Sequence, residues 1–168
     1  MLYICPLSQL YSAIDRHSPS HLVSLLDPHS MIDTPRVLKS ERHLRLSIND
    51  ITTPREGLTV PAEAHIRELL TFLDSWDRNA PMLIHCWAGI SRSTAAAYIA
   101  LCHLNEVDEF QAARLLRARA RHAQPNRLLV ALADKLMSRQ GRMIEAVEEI
   151  GPGVFDMEGA LFSLPAKL

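Results

Sequence analysis

The chain has 168 residues, 48% of them hydrophobic and 22% charged, and a formal net charge of −1 at pH 7. This composition is ordinary for one soluble globular domain, and the balanced charge argues against general nucleic-acid binding, which needs a strongly basic surface. No stretch approaches the roughly 18 to 20 apolar residues that span a bilayer, so we expect no membrane partner. Three cysteines, an odd number, do not predict a disulfide framework. With no basic leader before an apolar core in residues 1–11, we expect a cytoplasmic protein.

The first half of the chain predicts three strands, one helix and a loop. The strands are short apolar or alternating runs over residues 2–5, 22–26 and 42–48. Ser8 is placed to cap a helix over residues 9–17. Two prolines and mixed charge predict a loop over residues 27–41.

The second half predicts one further strand, over residues 81–85, and several helices. A turn-rich stretch over residues 49–60 precedes Pro61, a residue type common at first helical positions. The helices are expected from Pro61 to 73, from 92 to 104, from the cap Asp108 to about 120, and from Pro125 through 137 to about 149.

Strands that alternate with helices predict an α/β domain with a central, mainly parallel sheet of about four to five strands. Ligands of such folds bind at the carboxyl ends of the strands. Glycines and a proline break the helical pattern after residue 150. We therefore expect a single domain over residues 1–150 and a C-terminal tail over residues 151–168.

The segment HCWAGISRST, residues 85–94, lies between a predicted strand and a predicted helix. A loop that enters a helix N-terminus offers free backbone amides to an anion. Gly89 permits backbone angles that let successive amides point inward. A thiolate of Cys86 is stabilised in that position, and the planar fork of Arg92 can hold two phosphate oxygens. The segment predicts a phosphate cradle with a nucleophilic thiol at its floor.

Ordinary structural explanations exist for each of these residues alone. Cys86 could be a buried core cysteine and Arg92 a solvated residue at a helix start. Their combination with His85, Gly89 and Ser93 in one strand-loop-helix segment favours the phosphate cradle with its nucleophilic thiol. A nucleotide-binding loop is excluded because the Gly-Lys-Ser/Thr ending is absent.

The segment HCWAGISRS resembles the signature of the cysteine-dependent protein tyrosine phosphatase superfamily: His, Cys, two residues, Gly, two residues, Arg, then Ser or Thr. The short chain is similar to the compact dual-specificity-like branch and its bacterial relatives. The similarity extends from about residue 42 to about residue 137 and includes Pro125-Asn126, a pair that often opens a helix in that branch. The resemblance implies a phosphatase loop between a strand and a helix N-terminus.

The resemblance also implies roles for the residues of this loop. Cys86 resembles the nucleophile that forms a phosphocysteine intermediate, Arg92 the phosphate clamp, and Ser93 the hydroxyl that helps Cys86 to leave. His85 resembles the histidine that supports the loop. The phosphate would be bound by the side chain of Arg92 and by the backbone of Trp87, Ala88, Gly89, Ile90, Ser91 and Arg92. No cofactor is implied, and the histidines lack metal-ligand spacing, so no metal is expected.

Phosphatases of this family use an aspartate on a mobile upstream loop to protonate the leaving oxygen. Asp50 fits this role best because it follows the alternating strand and lies 36 positions before Cys86. An ordinary turn role is the alternative, since Asn-Asp is common in turns. The other upstream aspartates lie too far back or on the preceding helix: Asp27, Asp33, Asp74 and Asp77.

Several features outside the motif are open to two interpretations. Asn126 or Gln124 could orient the pocket, because the loop before the last helix returns near the catalytic loop in family members. Cys5 could protect Cys86 by forming a disulfide under oxidation, or it could be a buried strand cysteine. Four arginines over residues 114–121 are expected to form a solvated helix face.

The function predicted from these residues is hydrolysis of phosphate monoesters, with protein phosphotyrosine as the expected substrate. The partner is then a phosphorylated protein or a small phosphate monoester. The loop carries no lysine, which disfavours phosphoinositides. A catalytically silent phospho-binding module and a rhodanese-like sulfur-transfer domain are the alternatives. The sequence leaves the oligomeric state and the purpose of the tail open.

Overall fold

The computed structural model describes residues 1–168 as one five-stranded sheet with six helices. The strands are β1 (Leu2–Pro6), β2 (His21–Leu26), β3 (His43–Ser47), β4 (Met82–Cys86) and β5 (Phe162–Leu164). The helices are α1 (Leu10–His17), α2 (Glu63–Asp74), α3 (Arg92–Leu104), α4 (Glu109–Arg119), α5 (Arg127–Leu136) and α6 (Arg142–Glu149). The strand order is β3-β2-β4-β1-β5, and only the β1–β5 pair is antiparallel. The predicted α/β class with a mainly parallel sheet is confirmed.

The central strands are apolar along their whole length because helices cover both faces of the sheet. Every residue of β2 and β4 is buried, as expected for parallel strands inside an α/β fold. Helix α3 crosses the main core, and its first eleven residues are all buried. Its alanines let the helix approach the sheet closely. On the opposite face, α1 packs in a smaller cluster with Cys5, Leu22 and Leu83.

Two predicted helix starts are wrong. Helix α2 begins at Glu63, not at Pro61, and the backbone amide of Ala62 donates to His65 Nδ1 at 3.0 Å. Ser8 does not cap α1, because its hydroxyl donates to Glu158 at 2.6 Å. Helix α1 has no side-chain cap, and the contact at the start of α2 comes from a histidine, which the usual capping pattern does not single out.

The long helix expected over residues 125–149 is two helices. The chain turns between α5 and α6 at Ser138, Gln140 and Gly141, which have φ angles of 55°, 57° and 89°. Asp134, buried within α5, accepts hydrogen bonds from the amides of Gly141 (2.7 Å) and Met143 (2.9 Å). A helical aspartate therefore caps the next helix, a contact that periodicity alone does not reveal.

The segment expected as a tail contributes to the sheet. Residues Phe162–Leu164 form β5, which pairs with Leu2–Ile4 of β1. Leu164 is fully buried and Phe162 nearly so, with Ser163 between them facing the other way. The expectation of a separate tail is wrong for these three residues, because their short alternating pattern covers the open edge of β1. No helix of the fold has the length and apolar character required to cross a membrane.

Candidate active site

The segment 85–94 lies at the carboxyl end of the central strand β4, as the sequence predicts. Cys86 is the last residue of β4, between Pro6 of β1 and Leu25 of β2, and α3 begins at Arg92. A cavity of about 560 Å³ opens over this loop, with Asp27, Asp50, Leu58 and Trp87 among its walls. The loop therefore occupies the position where parallel sheets bind their ligands.

The backbone carbonyls of the loop are bonded outward to three other segments of the chain. Four carbonyls accept from amides, namely Trp87 from Leu7 (3.1 Å), Ala88 from Gly159 (2.8 Å), Ile90 from Gln124 (2.9 Å) and Ser91 from Asn126 (3.3 Å). The amide of Gly89 donates to Cys86 Sγ at 3.2 Å. The amides of Trp87, Ala88, Ile90 and Ser91 donate to no group of the protein. Carbonyls held outward leave a set of amides available to an anion.

Gly89 is required at its position by two independent constraints. Its φ is +70°, in the left-handed region that favours glycine. A Cβ atom at Gly89 would lie 2.7 Å from the backbone nitrogen of Pro6 and 3.0 Å from the carbonyl carbon of Cys5. The loop can thus pack directly on the end of β1, which fixes the floor of the cavity.

The thiol of Cys86 lies at the bottom of this cavity, and only 2% of the residue is exposed. The hydroxyl of Ser93, in the first turn of α3, lies 3.1 Å from Cys86 Sγ. Ser93 is itself fully buried. A hydroxyl that is held at this distance can donate a hydrogen bond to the sulfur.

Arg92 is held by one of its two terminal nitrogens. Nη1 donates to Asp27 Oδ1 and to the carbonyl of Ile48, both at 2.8 Å. Nε is buried and donates to no protein group, and Nη2 likewise makes no hydrogen bond within the protein. The guanidinium is fixed on one side and keeps two nitrogens, Nε and Nη2, free to donate, the arrangement that binds two oxygens of one anion.

Asp27 belongs to this site although the sequence analysis set it aside as too far upstream. It directly follows β2, the strand beside β4, and its carboxylate forms the ion pair with Arg92. Because parallel strands end at the same edge of the sheet, the position of Asp27 after a buried strand was the signal that could have found it.

Asp50 lies beside the loop, whereas Asp74 and Asp77 do not. Its Oδ1 accepts hydrogen bonds from Ser91 Oγ (2.7 Å) and Asn126 Nδ2 (2.8 Å), and Oδ2 accepts none from the protein. Asp74 instead pairs with His103 at 2.7 Å, and Asp77 accepts from the Asn79 amide at 3.0 Å. The structure brings only Asp50 of these three to the cavity.

Asn126 connects this aspartate to the start of α5. Its Nδ2 reaches both Asp50 and the carbonyl of Ile51 (3.3 Å), while its Oδ1 accepts from the Leu129 amide at 3.1 Å. One buried side chain thus caps α5 and holds the Asp50 loop. Gln124 Oε1 accepts from the Gly153 amide at 2.8 Å instead.

His85 begins a buried chain of polar contacts that runs across three strands. Its Nε2 lies 2.6 Å from Ser24 Oγ, which lies 2.8 Å from Nε2 of His43. Nδ1 of His43 lies 2.9 Å from Thr34 Oγ1. Burial lowers the pKa of both histidines to about 4, so both rings are neutral at pH 7.

This chain fixes the tautomers of the two rings relative to one another. A serine hydroxyl has one proton, so Ser24 can donate to one ring nitrogen and accept from the N–H of the other ring. The sequence analysis identified His85 but missed Ser24 and His43. The only local signal was His43 itself, a buried polar residue at the start of an alternating strand.

Two further expectations, for Cys5 and for the arginines of α4, can be compared with the structure. Cys5 is a free, buried thiol whose burial raises its pKa to about 12, which leaves little thiolate for disulfide exchange at neutral pH. Arg117 is not part of a solvated face, because its guanidinium donates to the carbonyls of Arg121, Ala123 and Gly151 at 2.8 Å each. It anchors the turn that follows α4.

No protein-family model matches the chain, and no curated protein matches it by sequence. Solved structures do match. DUSP15 is 18% identical, with 89% of each chain covered and a TM-score of 0.63. The human tyrosine phosphatase-like serine/threonine/tyrosine-interacting protein is 19% identical over 83% of this chain and 92% of that chain (TM-score 0.65). The Cydia pomonella PTP-2 phosphatase is 22% identical over 80% of this chain and 84% of that chain (TM-score 0.61).

These matches define the class of fold. The chain has the α/β architecture of the dual-specificity and cysteine-dependent phosphatases, so the resemblance inferred from HCWAGISRS is confirmed at the level of the fold. At identities of 18% to 22%, these matches establish the fold alone.

Proposed function

We propose that the protein is a cysteine-dependent phosphatase that hydrolyses phosphate monoesters through a phosphocysteine intermediate. One observation carries the proposal: the outward-bonded loop leaves its amides free around the thiol of Cys86, and Nε and Nη2 of Arg92 are free as well. Donors arranged in this way bind the three equatorial oxygens of a phosphoryl group as it is transferred.

In the first step, the sulfur of Cys86 attacks phosphorus and the bond from phosphorus to the substrate oxygen breaks. The electron pair leaves with that oxygen, which takes a proton from Asp50. Oδ1 of Asp50 is occupied by Ser91 and Asn126, so the proton is carried on Oδ2. A positioned acid of this kind contributes about 10²–10⁴-fold in rate.

In the second step, water attacks the phosphorus of phosphocysteine and Asp50 accepts the proton from that water. The bond from phosphorus to sulfur breaks, and the thiolate of Cys86 leaves. Ser93 Oγ, 3.1 Å from the sulfur, donates a hydrogen bond to the departing thiolate. Inorganic phosphate is released.

Protein phosphotyrosine is the proposed substrate, in the cytoplasm. Because the thiol of Cys86 is almost completely buried, a long, flat side chain reaches it more readily than phosphoserine does. The apolar walls formed by Leu58 and Trp87 suit an aromatic ring. Asp27 and Asp50 line the same cavity, so a headgroup with several phosphates would meet two carboxylates there and no lysine.

The sulfur-transfer and silent-binding alternatives make different predictions in one experiment. Wild-type protein and Cys86→Ser are assayed for phosphate release from p-nitrophenyl phosphate in the presence of a chelator, and for sulfur transfer from thiosulfate. Cys102→Ser, which alters a buried cysteine of α3, is the matched control. We expect phosphate release by wild type and by the control only. Sulfur transfer, or no turnover with retained phosphate binding, would support an alternative instead.

A further inference from the structure

A second cavity of about 480 Å³ adjoins the catalytic cavity on the other side of Asp50. Asp50, Ile51 and Ser91 line both cavities, so the two form neighbouring compartments of one cleft. The wall of the second compartment is polar and includes Arg55 and Arg127, together with Thr52, Thr53 and Gln124. We refer to it as the Arg55–Arg127 cavity.

The two arginines of this cavity carry charges that the protein does not neutralise. Both are exposed, and neither forms an ion pair or a side-chain hydrogen bond. By contrast, Arg92 is paired with Asp27. Asp50, at the boundary of the cavity, already accepts from Ser91 and Asn126 through Oδ1. Two unpaired guanidinium groups in a polar cavity suit an oxyanion.

Arg55 also belongs to the loop that carries Asp50. The two ends of this loop are joined, because Asn49 N donates to the Thr59 carbonyl at 2.9 Å and Thr59 N donates to Asn49 Oδ1 at 2.8 Å. Arg127 is the first residue of α5 and directly follows Asn126. An anion bound by both arginines would therefore tie the loop to α5 at the point where Asn126 holds Asp50.

We propose that the Arg55–Arg127 cavity binds a second anionic group of the substrate, a phosphate or a carboxylate carried a few residues from the phosphotyrosine of a peptide. The reaction in the adjoining cavity rests on the function proposed above. A peptide fits better than an inositol headgroup, because Asp50 lies between the two compartments and disfavours phosphates that are close together on one ring. Occupancy lowers KM through the new contacts and raises kcat by holding Asp50 in place.

The test compares phosphotyrosine peptides that differ only in one flanking residue. A peptide with neutral flanks is set against peptides with phosphothreonine or glutamate at each position from three before to three after the phosphotyrosine. At one or more positions we expect kcat/KM to rise about tenfold, the size of a charge-assisted contact on an exposed surface. Phosphothreonine and glutamate distinguish the two sources of the anion.

The variant Arg55→Ala/Arg127→Ala should reduce this preference to a ratio near one. Arg36→Ala/Arg119→Ala is the matched control, since it removes two exposed arginines that line neither cavity. The inference is wrong if wild type shows no preference at any position. It is equally wrong if the preference survives the first variant or falls as much in the control. A larger arginine-dependent preference for inositol bisphosphate over all peptides would overturn the peptide assignment.

Measurements of peptide binding distinguish a failure of this inference from a failure of the proposed function. Affinities of the same peptides for Cys86→Ser, measured by fluorescence anisotropy, do not depend on turnover. An arginine-dependent affinity for the doubly anionic peptide without hydrolysis by wild type refutes the phosphatase but supports the cavity. Hydrolysis of all peptides with equal affinities refutes the cavity alone.

Discussion

Two loops form the candidate site, and they are held in different ways. The phosphatase loop, residues 86–91, is bonded through its carbonyls to three other segments and packs on the end of β1. The Asp50 loop, residues 49–60, is joined at its base, but its residues from Thr52 to Leu58 are exposed. The first loop is organised before any ligand arrives, while the second depends on Asn126 and Ser91 for its position. The position of Asp50 therefore depends on the first loop, whereas the first loop keeps bonds from Leu7, Gly159 and Gln124 that do not involve Asp50.

The largest expected effect comes from the guanidinium of Arg92, the first residue of α3, which directly follows the rigid loop. Arg92→Lys should lower kcat/KM by about 10³-fold, because an ammonium cannot supply both the bonds to Asp27 and Ile48 and two donors to phosphate. Steady-state assays with p-nitrophenyl phosphate measure the loss. Arg119→Lys, at an exposed position, is the control. Near-normal turnover by Arg92→Lys would show that the clamp is not needed.

Each loop contains a glycine, Gly89 in the first and Gly57 in the second. Substitution of these two glycines compares the two loops by the free energy of unfolding. Gly89→Ala should cost about 3 kcal/mol in the free energy of unfolding, from backbone strain together with overpacking against Pro6. Gly57 has a similar φ of +74° but open space around its Cα, so Gly57→Ala should cost only about 1 kcal/mol. Denaturant titrations give both values. Equal costs would mean that the close approach of the phosphatase loop to β1 contributes nothing.

Substitution of Asp50 tests whether the exposed loop supplies the general acid. Asp50→Asn should slow phosphotyrosine hydrolysis by about 10²-fold and p-nitrophenyl phosphate hydrolysis much less, because tyrosine leaves poorly without a proton. The alkaline limb of the pH–rate profile should flatten as well. Asp74→Asn and Asp77→Asn should show neither effect. If one of these controls shows the leaving-group dependence and Asp50→Asn does not, another loop supplies the acid.

An effect smaller than that of Gly89→Ala concerns the histidines beneath the rigid loop. Burial lowers the pKa of His43 and His85 to about 4 in the folded state, below the usual value near 6.5. The unfolded chain then binds more protons than the folded protein between these values, so stability falls as the pH drops through that range. Each histidine should contribute a loss of about 2 kcal/mol between pH 7 and pH 5.

His43→Asn should reduce this acid-dependent loss by about half. The control His29→Asn, at an exposed position, should leave the loss unchanged. Unfolding free energies measured at both pH values decide the question, and an undiminished loss in His43→Asn would contradict the burial of a neutral ring.

The parts of the site that are contiguous in the chain could be predicted from the sequence, and the parts brought together by strand pairing could not. The strand, loop and helix around Cys86 are contiguous, and the predicted helix over residues 92–104 matches α3 residue for residue. The family resemblance, together with the spacing of Asp50 and the strand before it, predicts Asp50 as the candidate acid. Asp27, Ser24 and His43 were missed because they reach the site only through the pairing of β2 with β3 and β4. Local patterns mark the positions of Asp27 and His43, but the contacts themselves are long-range and cannot be read from a local pattern.

The most direct test of the account asks where the phosphoryl group goes. Ser93→Ala is mixed rapidly with p-nitrophenyl phosphate, quenched with denaturant, digested and examined by mass spectrometry. We expect a burst of one p-nitrophenol per chain and one phosphoryl group on the peptide that contains Cys86, because loss of the hydroxyl slows the second step. Slow turnover with no burst and no phosphoryl group on Cys86 would contradict it.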